Sequence, residues 1–446
     1  MSNKSAIVVG AGLAGLSAAH YLQKAGWKVT VLEALDRVGG RVRTIEQGGY
    51  LLDVGSTQFT TGYTEYLALM KEVGLDSDVV ESSQLITVIN QGRQYEFDGS
   101  GWLSAAISPM ISLGSKFTLL KTFMDFYAIK PRLDVLDISL SHAVDTESAL
   151  QYCERRLNRE IYDVLVDALV RSWVFTGGKD VSCLEWFSAV ANLGGQRMIS
   201  LKGGQARMPQ AIAKGLDVRL GCPVQSVRKL DAGGNSSGSV EVSYNAADGS
   251  AQTITADACV FASRLTETIA MYPEAKQIAG KLATELRYNR GLVVTPGFSK
   301  RTKSNALGVL VPTVEKPEIA LIWLEHNKNR DRAPEGHSMF SVYFDHNAGD
   351  RFFNMPEDEL VAFTVQYLEH LYPEIKGTLD MSNVTRWPLG IPHTAPGIYT
   401  AVDAMKKRID PNGPIQFAGD YFTCTGQNTA VHWGKRAAAN LINQGR

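Results

Sequence analysis

Ala6-Ile7-Val8-Val9-Gly10-Ala11-Gly12-Leu13-Ala14-Gly15 begins a stretch that closes on Glu33 and passes at once to Arg37-Val38-Gly39-Gly40-Arg41-Val42-Arg43-Thr44. The apolar run before Gly10 reads as a buried strand, and Leu13 to Lys24 has helical spacing with Leu16, Ala19 and Leu22 on one side. The three glycines therefore fall on a strand-to-helix turn. Gly10 permits the tight turn, and Gly12 lets the backbone approach a pyrophosphate resting on the helix start at Leu13 and Ala14. Gly15 lets the helix pack closely on the strand. Val29-Thr30-Val31-Leu32 reads as a second strand, ended by Glu33 and Ala34, where a carboxylate can accept both ribose hydroxyls. A lone Gly-x-Gly-x-x-Gly is weak evidence; strand, helix, second strand and acid in register make it specific.

Arg37, Gly39, Gly40, Arg41 and Thr44 form a second glycine turn flanked by cations, suited to a diphosphate held from the side opposite the first helix. This arrangement resembles the flavin amine oxidase and protoporphyrinogen oxidase superfamily, and so implies FAD. Phe417-Ala418-Gly419-Asp420 and Thr429-Ala430-Val431-His432-Trp433-Gly434-Lys435-Arg436-Ala437-Ala438 resemble the closing motif of that family. The resemblance implies that Gly419 and Asp420 meet the ribityl and pyrophosphate. It also implies that the helix opening on Thr429, Ala430 and Val431 aims at the flavin pyrimidine. Leu51 to Gln58, with Gly55, Ser56 and Thr57, resembles the segment beside the isoalloxazine ring, and Val224 stands where a backbone contact to adenine is made.

The expected fold is α/β, a discontinuous Rossmann-like FAD-binding domain with a mixed α+β substrate-binding domain. FAD-binding pieces are expected at 1–81, 197–263 and 386–446, with substrate-domain pieces at 82–196, mainly helical, and 264–385. The polar run 231–238 reads as a hairpin loop. A chain of 446 residues with 44% hydrophobic content suffices for two cores. A formal net charge of −1 gives no sign of a nucleic-acid partner. No apolar stretch is long enough to span a bilayer. The five cysteines, Cys153, Cys183, Cys222, Cys259 and Cys424, are scattered and read as reduced, buried thiols. With the first strand starting near Ala6, a cytoplasmic protein is expected.

Between Leu113 and Lys130, Phe117, Leu119, Leu120, Phe123, Met124 and Phe126 interleave with Lys116 and Lys121. The favoured reading is a helix walling the substrate tunnel or packed in the second core; the alternative is contact with a membrane surface. His326 and His337, in a charged region, read as solvated surface, so no metal is expected.

The chemistry falls to the flavin, with a small-molecule substrate and molecular oxygen as acceptor. Gly397-Ile398-Tyr399 matches the segment that carries the flavin-linking cysteine in the covalent amine oxidases, so Ile398 implies non-covalent FAD. Tyr399 falls on one wall of the aromatic cage of those enzymes. Gly426 falls on the other, and no lysine lies in Tyr288 to Val294, where one holds a water in the family. Leu307 to Pro312, Arg386 to Pro392 and Gly203-Gly204 with Met208-Pro209 resemble the protoporphyrinogen oxidase branch. That branch needs a cation for its substrate's acid groups, for which Arg171, Arg197 and Arg207 are candidates. Tyr399, Trp433 and His432 are the candidate catalytic residues, each with ordinary packing as the competing reading. The function expected is desaturation of a small or medium apolar cyclic substrate. Imine-forming amine oxidation and flavin binding without turnover stay open.

Overall fold

The computed structural model describes residues 4–192, 195–230, 239–423 and 426–443. Its organising element is a five-stranded parallel sheet in the order Asp217–Arg219, Lys28–Leu32, Ser5–Val9, Ala258–Phe261 and Ile415–Phe417. Strands buried on both faces need not alternate, which is why Ile7-Val8-Val9 and Cys259-Val260-Phe261 are unbroken apolar runs. The sheet draws on three pieces of chain, near residues 5–32, 217–261 and 415–417. An antiparallel meander, Val224–Lys229, Val240–Asn245 and Ala251–Ala256, stands between two of its strands. The run 231–238 lies outside the described residues, as does Cys424; the other four cysteines are buried and unbridged.

Helix Leu13–Lys24 covers one face of this sheet and packs against helix Gln427–Asn443 through Leu16, Ala18, Ala437 and Leu441. The approach is close enough to exclude side chains. A Cβ on Gly15 would lie 1.9 Å from the Gly10 carbonyl oxygen, and one on Gly434 would lie 2.1 Å from that of Ala14.

A second sheet has seven strands: Leu379–Trp387, Gly291–Phe298, Ser338–Phe344, Ile319–Leu324, Gly308–Leu310, Leu85–Asn90 and Arg93–Asp98. Its pairings are antiparallel except that between Gly308–Leu310 and Leu85–Asn90. Alternate residues serve opposite cores. Leu292, Val294, Phe340 and Val342 meet helix Glu357–Leu371, while Val293 and Tyr343 meet Val164, Leu165 and Ala168. The stretch expected to be mainly helical thus also supplies a hairpin, Leu85–Asn90 with Arg93–Asp98, to this sheet. Among the described residues no helix is long and apolar enough to cross a membrane.

Gly434→Ala should lower stability by about 1–3 kcal/mol, since backbone must move to admit the methyl. Gly215→Ala, at an exposed site with no atom within 4 Å of its new Cβ, should stay within about 0.5 kcal/mol. Denaturant midpoints of the two variants check this.

Candidate active site

A cavity of about 1610 Å³ runs from the parallel sheet to the seven-stranded sheet. It exceeds the roughly 300–1,000 Å³ of a common small-ligand pocket, leaving room for a dinucleotide with a second molecule beside it. At the parallel-sheet end the two glycine turns meet. Gly12 pairs with Gly39 in a parallel bridge, and the Gly39 amide donates to the Ala11 carbonyl at 2.8 Å. Gly10, Gly39 and Gly40 have φ of 103°, 102° and 55°, the left-handed region that glycine tolerates. A Cβ on Gly12 would meet nothing within 4 Å. These turns form an open cradle of backbone, which is what a diphosphate needs.

Glu33 reaches this cradle from the second strand. Its Oε2 accepts from the Ala11 amide at 2.6 Å and its Oε1 from the Leu35 amide at 2.9 Å. A carboxylate has about four lone-pair sites, so two remain for vicinal hydroxyls. Gly10, Gly12, Leu13, Ala14, Ala34, Gly39, Gly40, Gly55, Ser56, Thr57, Val224, Gly419 and Ala430 also line the cavity. Arg41 and Asp420 line it as a pair. The guanidinium meets the carboxylate at 2.7 and 3.0 Å and donates to the Gly390 carbonyl at 2.8 Å, tying the first piece of chain to the last. Arg41 is thus committed to Asp420, although expected to flank a diphosphate. These residues fit FAD.

Gly15, Arg37, Thr429 and Val431 do not line the cavity. Gly15 serves the helix–strand approach, and Val431 is core. Thr429 donates to the Gly426 carbonyl, and Arg37 donates to that of Val38.

The other half of the cavity is apolar and aromatic. Trp173, Phe175 and Trp186 come from helical segments, and Val293, Leu310, Leu321, Trp323 and Tyr343 from the seven-stranded sheet. Helix Leu113–Ile129 contributes Leu119, Phe123 and Phe126, and so walls the cavity as expected, with Lys116 and Lys130 near its two ends. Its outward face leaves Leu113 and Phe117 72% exposed and Met124 68%. The carboxylates that line the cavity, Glu33, Glu267 and Asp420, belong to the parallel-sheet end. No histidine lines it among the described residues.

The candidate catalytic residues lie elsewhere. Tyr399 is 1% exposed in the core, where its hydroxyl donates to Glu185 and its amide to Asp145. Trp433 stacks on Phe422 at 4.4 Å and donates to the Leu136 carbonyl at 3.1 Å. Half-buried His432 stands beside it on the same helix, with burial lowering its pKa. None of the three lines the cavity: helices Ile398–Lys406 and Gln427–Asn443 turn Tyr399 and Trp433 into the main core, and half-buried His432 stays outside the cavity. The candidate cations are likewise spent. Arg171 binds Asp345, Arg197 binds Glu81 and Arg207 binds Asp78, and none lines the cavity. His326 is buried rather than solvated, hydrogen-bonded to Thr302 and Met339, and burial pushes its pKa down to about 3. No metal-binding cluster occurs among the described residues.

The aromatic wall of Trp173, Phe175, Trp186, Trp323 and Tyr343 was not legible as a site, since Trp and Phe at such spacing also read as core.

Glu33→Ala should purify largely without FAD, because each ribose contact is charge-assisted and worth about 1.5–3 kcal/mol. The ratio of flavin to protein absorbance measures this. Glu185 generates a pH prediction. Burial raises its carboxyl from 4.5 to about 7. The folded state therefore holds this proton more tightly than the unfolded state, and the associated stability, present below pH 4.5, is lost as pH rises towards 7. Glu185→Gln should flatten the dependence of the denaturant midpoint on pH across that window.

Comparison with known proteins agrees with this geometry. The chain is 31% identical to protoporphyrinogen oxidase 2 of Arabidopsis thaliana over 176 residues, a match covering 38% of this chain and 32% of that protein. Against coproporphyrinogen III oxidase of Bacillus subtilis the identity is 22%, over 98% of both chains. In fold it is similar to cyclohexylamine oxidase from Brevibacterium oxydans, with a TM-score of 0.78 at 18% identity over 99% of both chains. The family model for flavin containing amine oxidoreductase matches residues 13–442, and the chain belongs to that family.

Proposed function

We propose that this flavin-dependent oxidoreductase desaturates an apolar cyclic substrate at carbon, with molecular oxygen as the final acceptor. The observation that carries this reading is that neither position matched to the amine oxidases' cage supplies an aromatic wall to the cavity. Tyr399 is sunk in the core, and Gly426, which lines the cavity, offers no side chain opposite it. FAD, when bound, supplies the hydride acceptor. The chain's own part is to bind, orient and exclude water. Phe123, Trp186, Leu310 and Tyr343 present a dry, flat-sided wall, and such positioning is what hydride departure from a ring carbon needs. Among the described residues, no carboxylate or imidazole lines the substrate half. Likeness to two porphyrinogen oxidases by sequence supports carbon oxidation.

Amine oxidation is the second reading, favoured by the fold shared with cyclohexylamine oxidase. The buried, unbridged Cys153, Cys183, Cys222 and Cys259, the cysteines among the described residues, support a cytoplasmic setting. The outward row of Leu113, Phe117 and Met124 on the helix that walls the cavity supports the alternative reading, contact of that helix with a membrane surface.

Anaerobic mixing of the FAD-loaded protein with cyclic ketones, porphyrinogens and amines separates the readings. Bleaching of the flavin by a ketone or porphyrinogen is the expected result. Bleaching by primary or secondary amines alone would assign the protein to amine oxidation.

A further inference from the structure

Phe175 has φ 52° and ψ 29°, a left-handed backbone that a bulky residue seldom adopts. Among the described residues the other non-glycine at positive φ is Gln91, which with Gly92 closes the hairpin between Leu85–Asn90 and Arg93–Asp98. A two-residue hairpin demands that conformation. Phe175 has no such excuse. It ends helix Asp167–Val174 at a position where glycine is the usual choice, and Gly177 and Gly178 lie only two and three residues on.

The surroundings hold it there. Its amide donates to the Arg171 carbonyl at 2.9 Å, and its carbonyl accepts from the His346 amide at 2.8 Å. Arg171, one turn earlier, is wholly buried and donates to Asp345 at 3.1 Å and to the carbonyls of Val311 and Pro317 at 2.8 and 2.6 Å. Asp345 directly follows strand Ser338–Phe344, so the helix end and the strand end are locked at two points. The result is an aromatic pair. The Phe175 ring lies on that of Tyr343 at 4.9 Å with 11° between planes, and both line the cavity. The Tyr343 hydroxyl donates to the Gly55 carbonyl at 3.3 Å, in the segment Gly55 to Thr57 that also lines it.

We propose that Phe175 is a positioning residue: its left-handed backbone is maintained so that its ring fixes Tyr343 as the flat wall against which the substrate ring is oriented. Backbone strain persists at functional sites where the surroundings over-determine it, and an Arg171 clamp that serves packing alone could have ended the helix on glycine. The proposal rests on the cavity's being the substrate site, and it is tested partly without substrate.

Phe175→Gly relieves the backbone and removes the ring, Phe175→Asn removes the ring while tolerating positive φ, and Phe175→Tyr keeps the ring. In the FAD-loaded protein with fluorotyrosine at position 343, loss of the ring should shift and narrow the fluorine resonance, and Phe175→Tyr should not. The Gly and Asn variants should melt within about 2 °C of the parent, backbone relief offsetting lost packing. For whichever panel compound bleaches the flavin, KM should rise by about tenfold with little change in kcat, and Phe175→Tyr should restore it. An unchanged fluorine resonance, or collapse of both the Gly and Asn variants with loss of FAD, overturns the proposal, because the ring would then serve ordinary packing. An unchanged KM overturns it as well. If no compound bleaches the flavin, the functional reading fails, while the fluorine signal and melting temperature still decide whether Phe175 is held to order Tyr343.

Discussion

Close approach of backbone to backbone between Gly12 and Gly39 is the constraint on which the rest depends. Both turns line one open volume: a Cβ on Gly12 would meet nothing within 4 Å, whereas one on Gly39 would lie 2.5 Å from the Val42 carbonyl oxygen, so the bridge needs glycine there. Holding them there requires the first helix to lie against its strand at Gly15 and against the last helix at Gly434, more than 400 residues away. The fold is therefore a device for bringing distant segments to one place. The Arg41–Asp420 pair, with Gly390 as a third partner, ties the same ends together across the cavity wall. Breaking one partner of such a pair leaves a poorly solvated charge, so the tie secures register as well as proximity.

The parallel sheet and its cradle were legible because their signals are local. Ser5–Val9, Leu13–Lys24 and Lys28–Leu32 form where spacing and glycine placement put them, since burial and propensity agree there. The hairpin Leu85–Asn90 and Arg93–Asp98 was not legible, because its partner strand Gly308–Leu310 is over 200 residues later. Tyr399 shows a different limit. A motif fixes a position along the chain but not the face of a helix that meets the cavity. Here Asp145 and Glu185 draw the tyrosine inward instead. Phe175 was hidden for the opposite reason, since nothing in Val174-Phe175-Thr176 announces a left-handed residue where glycine is the ordinary signal.

The walls of the cavity differ in how they are held. Behind Gly55 to Thr57, Asp53 forms an ion pair with Arg332 at 2.8 Å and accepts from Thr44 at 2.6 Å and from the Gln205 amide at 2.9 Å. Lys328 and Glu325 pair at 2.7 Å, both wholly buried. Burial lowers the Lys328 pKa against the pull of Glu325, and moving either group alone leaves a charge without water. That wall is rigid because its alternatives are costly. Helix Leu113–Ile129, opposite in character, is anchored by Asp125 to Arg156 and by Ser112 to Glu160, contacts open to solvent and weakened by salt. It also shows a row of apolar side chains to the outside. Local opening draws on the least stable contacts, so displacement of this helix costs less than displacement of the charged wall. One wall of the cavity is thus backed by buried charges whose displacement is costly, and the other is held by contacts that yield more readily.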